Sequence, residues 1–229
     1  MAFTPAQRRL LLLTAATSSA AGLAAELLLG TLASYLVGSQ ALAYGVAVGG
    51  FLAAMGLGAY LSQFIATDSD RLRQQRQLLD ALFAVELGVA PLTALLPLGL
   101  FALFVADSSL WLGLALATTL LGTLAGMEIP LITRLIEQDR DLRGTLAGVL
   151  ALDYVGALVG SLALPLVLLP LVGLLPAAAL IGSLPALMVF FLGRAFPRQR
   201  RWQYLGLAFC LGAIALAPFT LWASNRLED

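Results

Sequence analysis

The chain has 229 residues, with 13 acidic and 13 basic side chains that cancel to a formal net charge of zero, and it is 60% hydrophobic against 11% charged. A mean hydropathy of +0.94 excludes an ordinary soluble domain, because apolar runs of about 20 residues mark membrane helices. All 13 basic residues are Arg and there is no His, which removes a lysine Schiff base, a histidine general base and any histidine metal ligand. The single Cys210 lies inside an apolar run and reads as a small packing residue, since one cysteine makes neither an intrachain disulfide nor a zinc-site spacing. No P-loop is present. The lipid bilayer is the expected surroundings; no cofactor, metal or nucleic acid is expected as a partner of this chain.

Seven apolar segments follow one another, at 10–37, 41–66, 78–106, 110–136, 144–170, 174–193 and 201–222. The fold class expected is therefore all-α, a polytopic membrane bundle of seven transmembrane helices. Arg8 and Arg9 ahead of Leu10 could open a signal peptide, but apolar sequence runs on to Val37, which favours an uncleaved first helix. Gly38-Ser39-Gln40, Asp107-Ser108-Ser109 and Pro170 to Pro176 read as tight turns, while Asp68 to Gln77, Arg134 to Arg143 and Arg194 to Arg201 carry charge. With the amino terminus in the cytoplasm, every arginine except Arg226 falls on the cytoplasmic side. That bias predicts a multi-pass bacterial inner-membrane protein with its amino terminus inside and its carboxyl terminus outside.

The first helix carries Ser18, Gly22, Glu26, Gly30 and Ser34, and the fifth carries Gly144, Gly148, Gly156 and Gly160, all at spacings that suit close helix packing. Segments one to three and four to six also read as a repeat at an offset of about 100 residues. A three-helix unit crosses the membrane an odd number of times, so its second copy enters from the opposite face. This predicts a 3+3 inverted repeat plus one helix.

The acids carry the chemistry. A charge in hydrocarbon costs roughly 2.5–3.5 kcal/mol on insertion scales, so Glu26, Glu86, Glu128 and Asp153 each need a reason to be there. At about 1.5 Å per residue, Glu26 falls near the outer side of the hydrocarbon core and Glu128 near the inner side. Asp153 falls roughly 14 Å from the cytoplasmic face and Glu86 roughly 12 Å. Beside Glu128, Pro130 has no N–H to give and its ring crowds the Gly126 carbonyl, which predicts a helix kink and a freed acceptor. Arg134 is the one cation expected nearby, pairing with Glu128 across that kink. Glu26, Glu86, Glu128, Asp153 and Arg134 are thus the candidate ligand-binding residues, with satisfied structural acids as the competing reading.

Four stretches together resemble the membrane domain of the multi-pass bacterial polyamine aminopropyltransferases, the membrane-bound spermidine synthases. They are Glu26 to Tyr35, Gly50 to Gly58, Gly126-Met-Glu-Ile-Pro-Leu-Ile-Thr-Arg134 and Ala151-Leu-Asp-Tyr-Val-Gly-Ala-Leu-Val-Gly-Ser161, of which the last two are the specific ones. The resemblance implies a transmembrane domain over 1–222, with 223–229 standing where a soluble domain of methyltransferase-like α/β fold would start. In that family the soluble domain transfers an aminopropyl group from decarboxylated S-adenosylmethionine to putrescine. No glycine-rich loop after a strand is present here, so none of its catalytic residues can be placed on this sequence. The leading expectation is a membrane domain that anchors, or binds ligand for, an aminopropyltransferase-like domain or partner, with a polyamine as ligand. The alternatives are a transporter of polyamines or other small cations, and a structural membrane subunit.

Overall fold

The computed structural model describes the backbone of residues 3–38, 40–106, 109–137 and 142–228, and every regular element in it is helical. Helix α1 spans Pro5–Val37, α2 Gln40–Leu61, α3 Arg71–Val105 and α4 Leu110–Glu137. Helix α5 spans Leu142–Ala163 and continues through a π-helical turn, Leu164–Leu168, into the short α6, Leu169–Val172; α7 spans Leu174–Ala195 and α8 Arg200–Glu228. Among the described residues six helical stretches are long and apolar enough to cross a membrane: Pro5–Val37, Ala41–Phe64, Arg71–Val105, Leu110–Glu137, Arg143–Val172 and Leu174–Ala195. The seventh apolar run, 201–222, lies within α8. Predicted turn residues Ser39, Asp107 and Ser108 lie outside the described residues, as do Arg140 and Asp229.

Local chemistry sets the helix ends. Thr4 caps α1 in a capping box, its hydroxyl accepting from the Gln7 N–H while its own N–H donates to the Gln7 amide oxygen. Gly38 closes the same helix in the left-handed region, φ 79°. Asp70 caps α3 by accepting from the Leu72 N–H, so this helix starts inside the charged stretch 68–77 rather than after it.

The turn expected across Pro170 to Pro176 is far shorter than that. The chain stays helical to Val172 and reverses at Gly173 alone, whose φ of 77° and ψ of −178° only glycine adopts readily. Pro165 and Pro170 are absorbed without a break. Pro165 opens the π turn, in which the Leu169 N–H bonds the Leu164 carbonyl five residues back, a common way for a helix to take in an irregularity. Helix α4 likewise runs unbroken across Pro130.

The bundle is organised around α1, which packs on α2, α3, α4, α5 and α7. Its buried residues, among them Leu11, Ala15, Ala21, Leu28, Leu29 and Leu32, leave little of it facing outward. Two long crossings are lined by glycine. Where α2 meets α4, a Cβ on Gly58 would lie 2.0 Å from the Thr123 carbonyl oxygen, and one on Gly126 2.0 Å from that of Met55. Where α5 meets α1, a Cβ on Gly156 would lie 1.9 Å from the Ala16 carbonyl oxygen, and one on Gly160 2.1 Å from that of Ala20. Only glycine permits these approaches. The expected single stripe on α5 is therefore half used, because Gly144 and Gly148 face open space. The outward faces are apolar, with Leu112, Leu116, Leu120, Leu158, Leu162 and Leu166 all exposed, as in a bundle solvated by lipid.

Candidate functional site

Four polar side chains converge within the bundle. Glu86, on α3, is completely buried. Its Oε1 accepts a short hydrogen bond from the Ser18 hydroxyl of α1, while its Oε2 is buried with no partner among the described residues. Glu128 of α4 is also buried and lies within electrostatic range of both Glu86 and Asp153. Asp153 of α5 is half-buried.

Helix contacts give the relative heights. Gly22 of α1 faces Ala125 of α4, and Gly88 of α3 faces Leu124 of α4, so Ser18, Glu86 and Glu128 fall within about one helical turn. Helices α1 and α5 run parallel, with Gly156 at Ala16 and Gly160 at Ala20. That puts Asp153 roughly 7 Å nearer the amino-terminal end of α1 than Ser18, at 1.5 Å per residue. The acids thus form a line: Glu86 innermost and closed, Glu128 in the middle, Asp153 at the more open end. None of the three has an ion-pair partner among the described residues. An uncompensated carboxylate in a low-dielectric interior is costly, so such a line favours protons or a cationic ligand.

Arg134 does not pair with Glu128. Its guanidinium donates instead to the Ser62 carbonyl at 2.9 Å and the Ala66 carbonyl at 3.1 Å, just beyond the end of α2. The reason is angular: six residues turn an α-helix by about 240°, so the two side chains leave α4 in different directions. Ser62 opens a 3-10 turn after α2, where its carbonyl accepts only the Ile65 N–H from the backbone, and Ala66 lies beyond that turn, so both carbonyls have room for a further donor. Ala66 itself is held at φ 54°, with Gln74 also donating to its carbonyl. Arg134 is a clamp on that turn, and the acid line is left without the cation expected for it.

Glu26 is buried but stands apart from the other acids, eight residues beyond Ser18 on α1, or roughly 12 Å along the axis. Its polar neighbour is Tyr44 of α2, which lies within its electrostatic range. In the sequence Ser18 reads only as one of the small residues of a packing stripe. A usable signal was present: Ser18 and Glu86 lie equally far into parallel segments that begin at 10 and 78, so both sit at one depth. For Tyr44 no comparable signal exists in the spacing.

The comparisons with known proteins bear on what this arrangement serves. The chain is 38% identical over 175 residues to polyamine aminopropyltransferase 2 of Ralstonia nicotianae, covering 76% of the chain and 33% of that protein. It is 38% identical over 192 residues to polyamine aminopropyltransferase of Corynebacterium efficiens, covering 81% of the chain and 35% of the relative. The protein of that name from Leptospira interrogans is 31% identical over 166 residues, covering 72% and 32%. These relatives support the family resemblance read from the motifs. The chain spans about a third of the length of the curated relatives it matches. No family model matches the chain, and no solved structure does.

Proposed function

We propose that this chain is a membrane domain serving polyamine aminopropyl transfer, and that Glu86, Glu128 and Asp153 hold the ammonium groups of a polyamine within it. The observation that carries this reading is the Glu86 carboxylate: fully buried, bonded on one oxygen, unpartnered on the other, and next in line to a second acid without a counter-ion. A polyamine suits the line because its ammonium groups are spaced along a flexible apolar stem and can meet separate carboxylates. The names of the relatives supply the chemical class. On this reading residues 1–222 form seven spans in the inner membrane, amino terminus inside, and a soluble aminopropyltransferase-like domain or subunit uses the bound amine. A reporter fused after Asp229 that is active only in the cytoplasm would contradict the orientation.

A second reading, transport of polyamines or other small cations, is favoured by the pairing of the helices. Exchanging α1, α2 and α3 for α4, α5 and α7 turns the α2–α4 crossing into the α5–α1 crossing, and the α3–α4 contact into the α7–α1 contact, all of which occur. Glu26 and Glu128, like Gly58 and Gly160, are separated by 102 positions. That is the pattern of an inverted repeat, and such repeats are common in transporters. Two measurements on one preparation separate the readings. Spermidine binding in nanodiscs that weakens about tenfold in Glu128→Gln and Asp153→Asn, with unchanged folding, supports the site. Uptake of spermidine into proteoliposomes supports transport, and binding without uptake supports a ligand-holding domain.

A further inference from the structure

We infer that the chain carries a second amine site, built from Glu26 and Tyr44 and separate from the acid line, that accepts one terminal ammonium group of an aliphatic amine. Three observations on different elements meet there. Glu26 is 5% exposed, and no hydrogen bond or ion pair to it is found among the described residues. One turn further along α1, Gly30 leaves the space in which the Tyr44 ring sits, since a Cβ there would lie 2.7 Å from Tyr44 Cε2 and 3.2 Å from Cζ. The ring is thereby seated against α1 one turn from Glu26, and the two groups lie within electrostatic range. Tyr44 also borders a cavity of about 740 Å³, lined with it by Thr31, Ser34, Tyr35, Ala41 and Gly45, with Glu26 on α1 just below that lining.

The chemistry of Glu26 and of the lining together selects the ligand. An ammonium group brings three donors and one positive charge. Glu26 offers an anionic acceptor, the Tyr44 oxygen a neutral one, and the Thr31 hydroxyl already donates to the Leu27 carbonyl, so its remaining capacity is to accept. Among the described residues no basic side chain lines the cavity, which disfavours anions. The cavity lies by the α1–α2 turn, whereas Asp153 lies toward the amino-terminal end of α1, so the two sites are reached from opposite ends of the bundle. A single carboxylate matches one ammonium group, where the three-acid line matches several.

The test is calorimetric titration of the full chain in nanodiscs with putrescine and spermidine, together with thermal melting of each variant. The wild type takes up amine at two sites. Glu26→Gln and Tyr44→Phe each remove or weaken one of them by about tenfold and leave the other in place, while Glu128→Gln does the reverse. Tyr44 is 37% exposed, so Tyr44→Phe keeps the fold even should Glu26→Gln disturb packing. A wild type with one site, lost in Glu128→Gln and untouched in Tyr44→Phe, overturns this inference and leaves the acid line standing. One site lost in Tyr44→Phe and kept in Glu128→Gln supports the inference and removes the acid line. No amine uptake by the wild type removes both.

Discussion

Asp80 and Glu86 are two carboxylates on α3, fewer than two turns apart, and they live in opposite circumstances. Asp80 is partly exposed and accepts from the Trp202 indole N–H at 2.6 Å and from Arg201 at 3.1 Å, with the Arg201 guanidinium 5.4 Å from the Trp202 ring centre. Those bonds fasten the start of α8 to α3, and Phe83 packs against the same indole. Glu86 is completely buried and receives a single hydroxyl. The difference follows from depth. Near a helix end, arginines and an indole arrive from the next helix, whereas deeper in, the helices that reach Glu86 offer glycines, alanines and Ser18. Asp80 is completed by the fold, whereas Glu86 keeps one buried oxygen without a partner among the described residues.

Substitutions can break that contrast. The largest effect is expected at Arg134, the other fully engaged charge. Arg134→Met removes two charge-assisted hydrogen bonds, to carbonyls that keep only the Ile65 N–H and the Gln74 amide as donors, and should cost about 3 kcal/mol, seen as a lowered melting temperature with no change in amine affinity. Asp80→Ala comes next, at about 1.5 kcal/mol, discounted for the exposure of the Arg201 contact. Ser18→Ala removes the one bond to Glu86 and should cost about 1 kcal/mol, while leaving amine binding possible. Glu128→Gln should be smallest, within about 0.5 kcal/mol in the absence of amine, because no ion pair is lost. A loss there as large as that of Asp80→Ala would make Glu128 a structural acid and erase the contrast.

Much of this architecture is legible in the sequence, for a physical reason. Hydrocarbon demands long apolar helices, and charges in short separators mark their ends, so six of the seven apolar runs fall in described helices long and apolar enough to cross a membrane. Counting puts Asp153 slightly deeper than Glu86, however, whereas the α1–α5 contacts put it nearer the amino-terminal end of α1. What counting misses is direction around the helix. Glu128 and Arg134 look like partners on a line of text, yet α4 turns them apart and Arg134 finds carbonyls in the turn that follows α2. Gly156 and Gly160 differ from Gly144 and Gly148 only in which neighbour they meet. Gly173 shows the same limit in the backbone: the prolines around it suggest a broad turn, but helices absorb proline through a π turn, and the reversal needs one glycine. Nor does apolar periodicity say that the ring of Tyr44 rests on Gly30.

The account turns on whether the acid line is a binding site. The most direct measurement is a spermidine titration of the melting temperature, on wild type and Glu128→Gln side by side. At about a hundredfold excess over the dissociation constant, binding to the native state alone adds about 2.7 kcal/mol. For a chain of this length that raises the wild-type melting temperature by roughly 5–10 °C. Glu128→Gln should start near the wild-type temperature and show a clearly smaller rise. A wild-type curve that stays flat into the millimolar range, or one that rises identically in Glu128→Gln, would contradict the account.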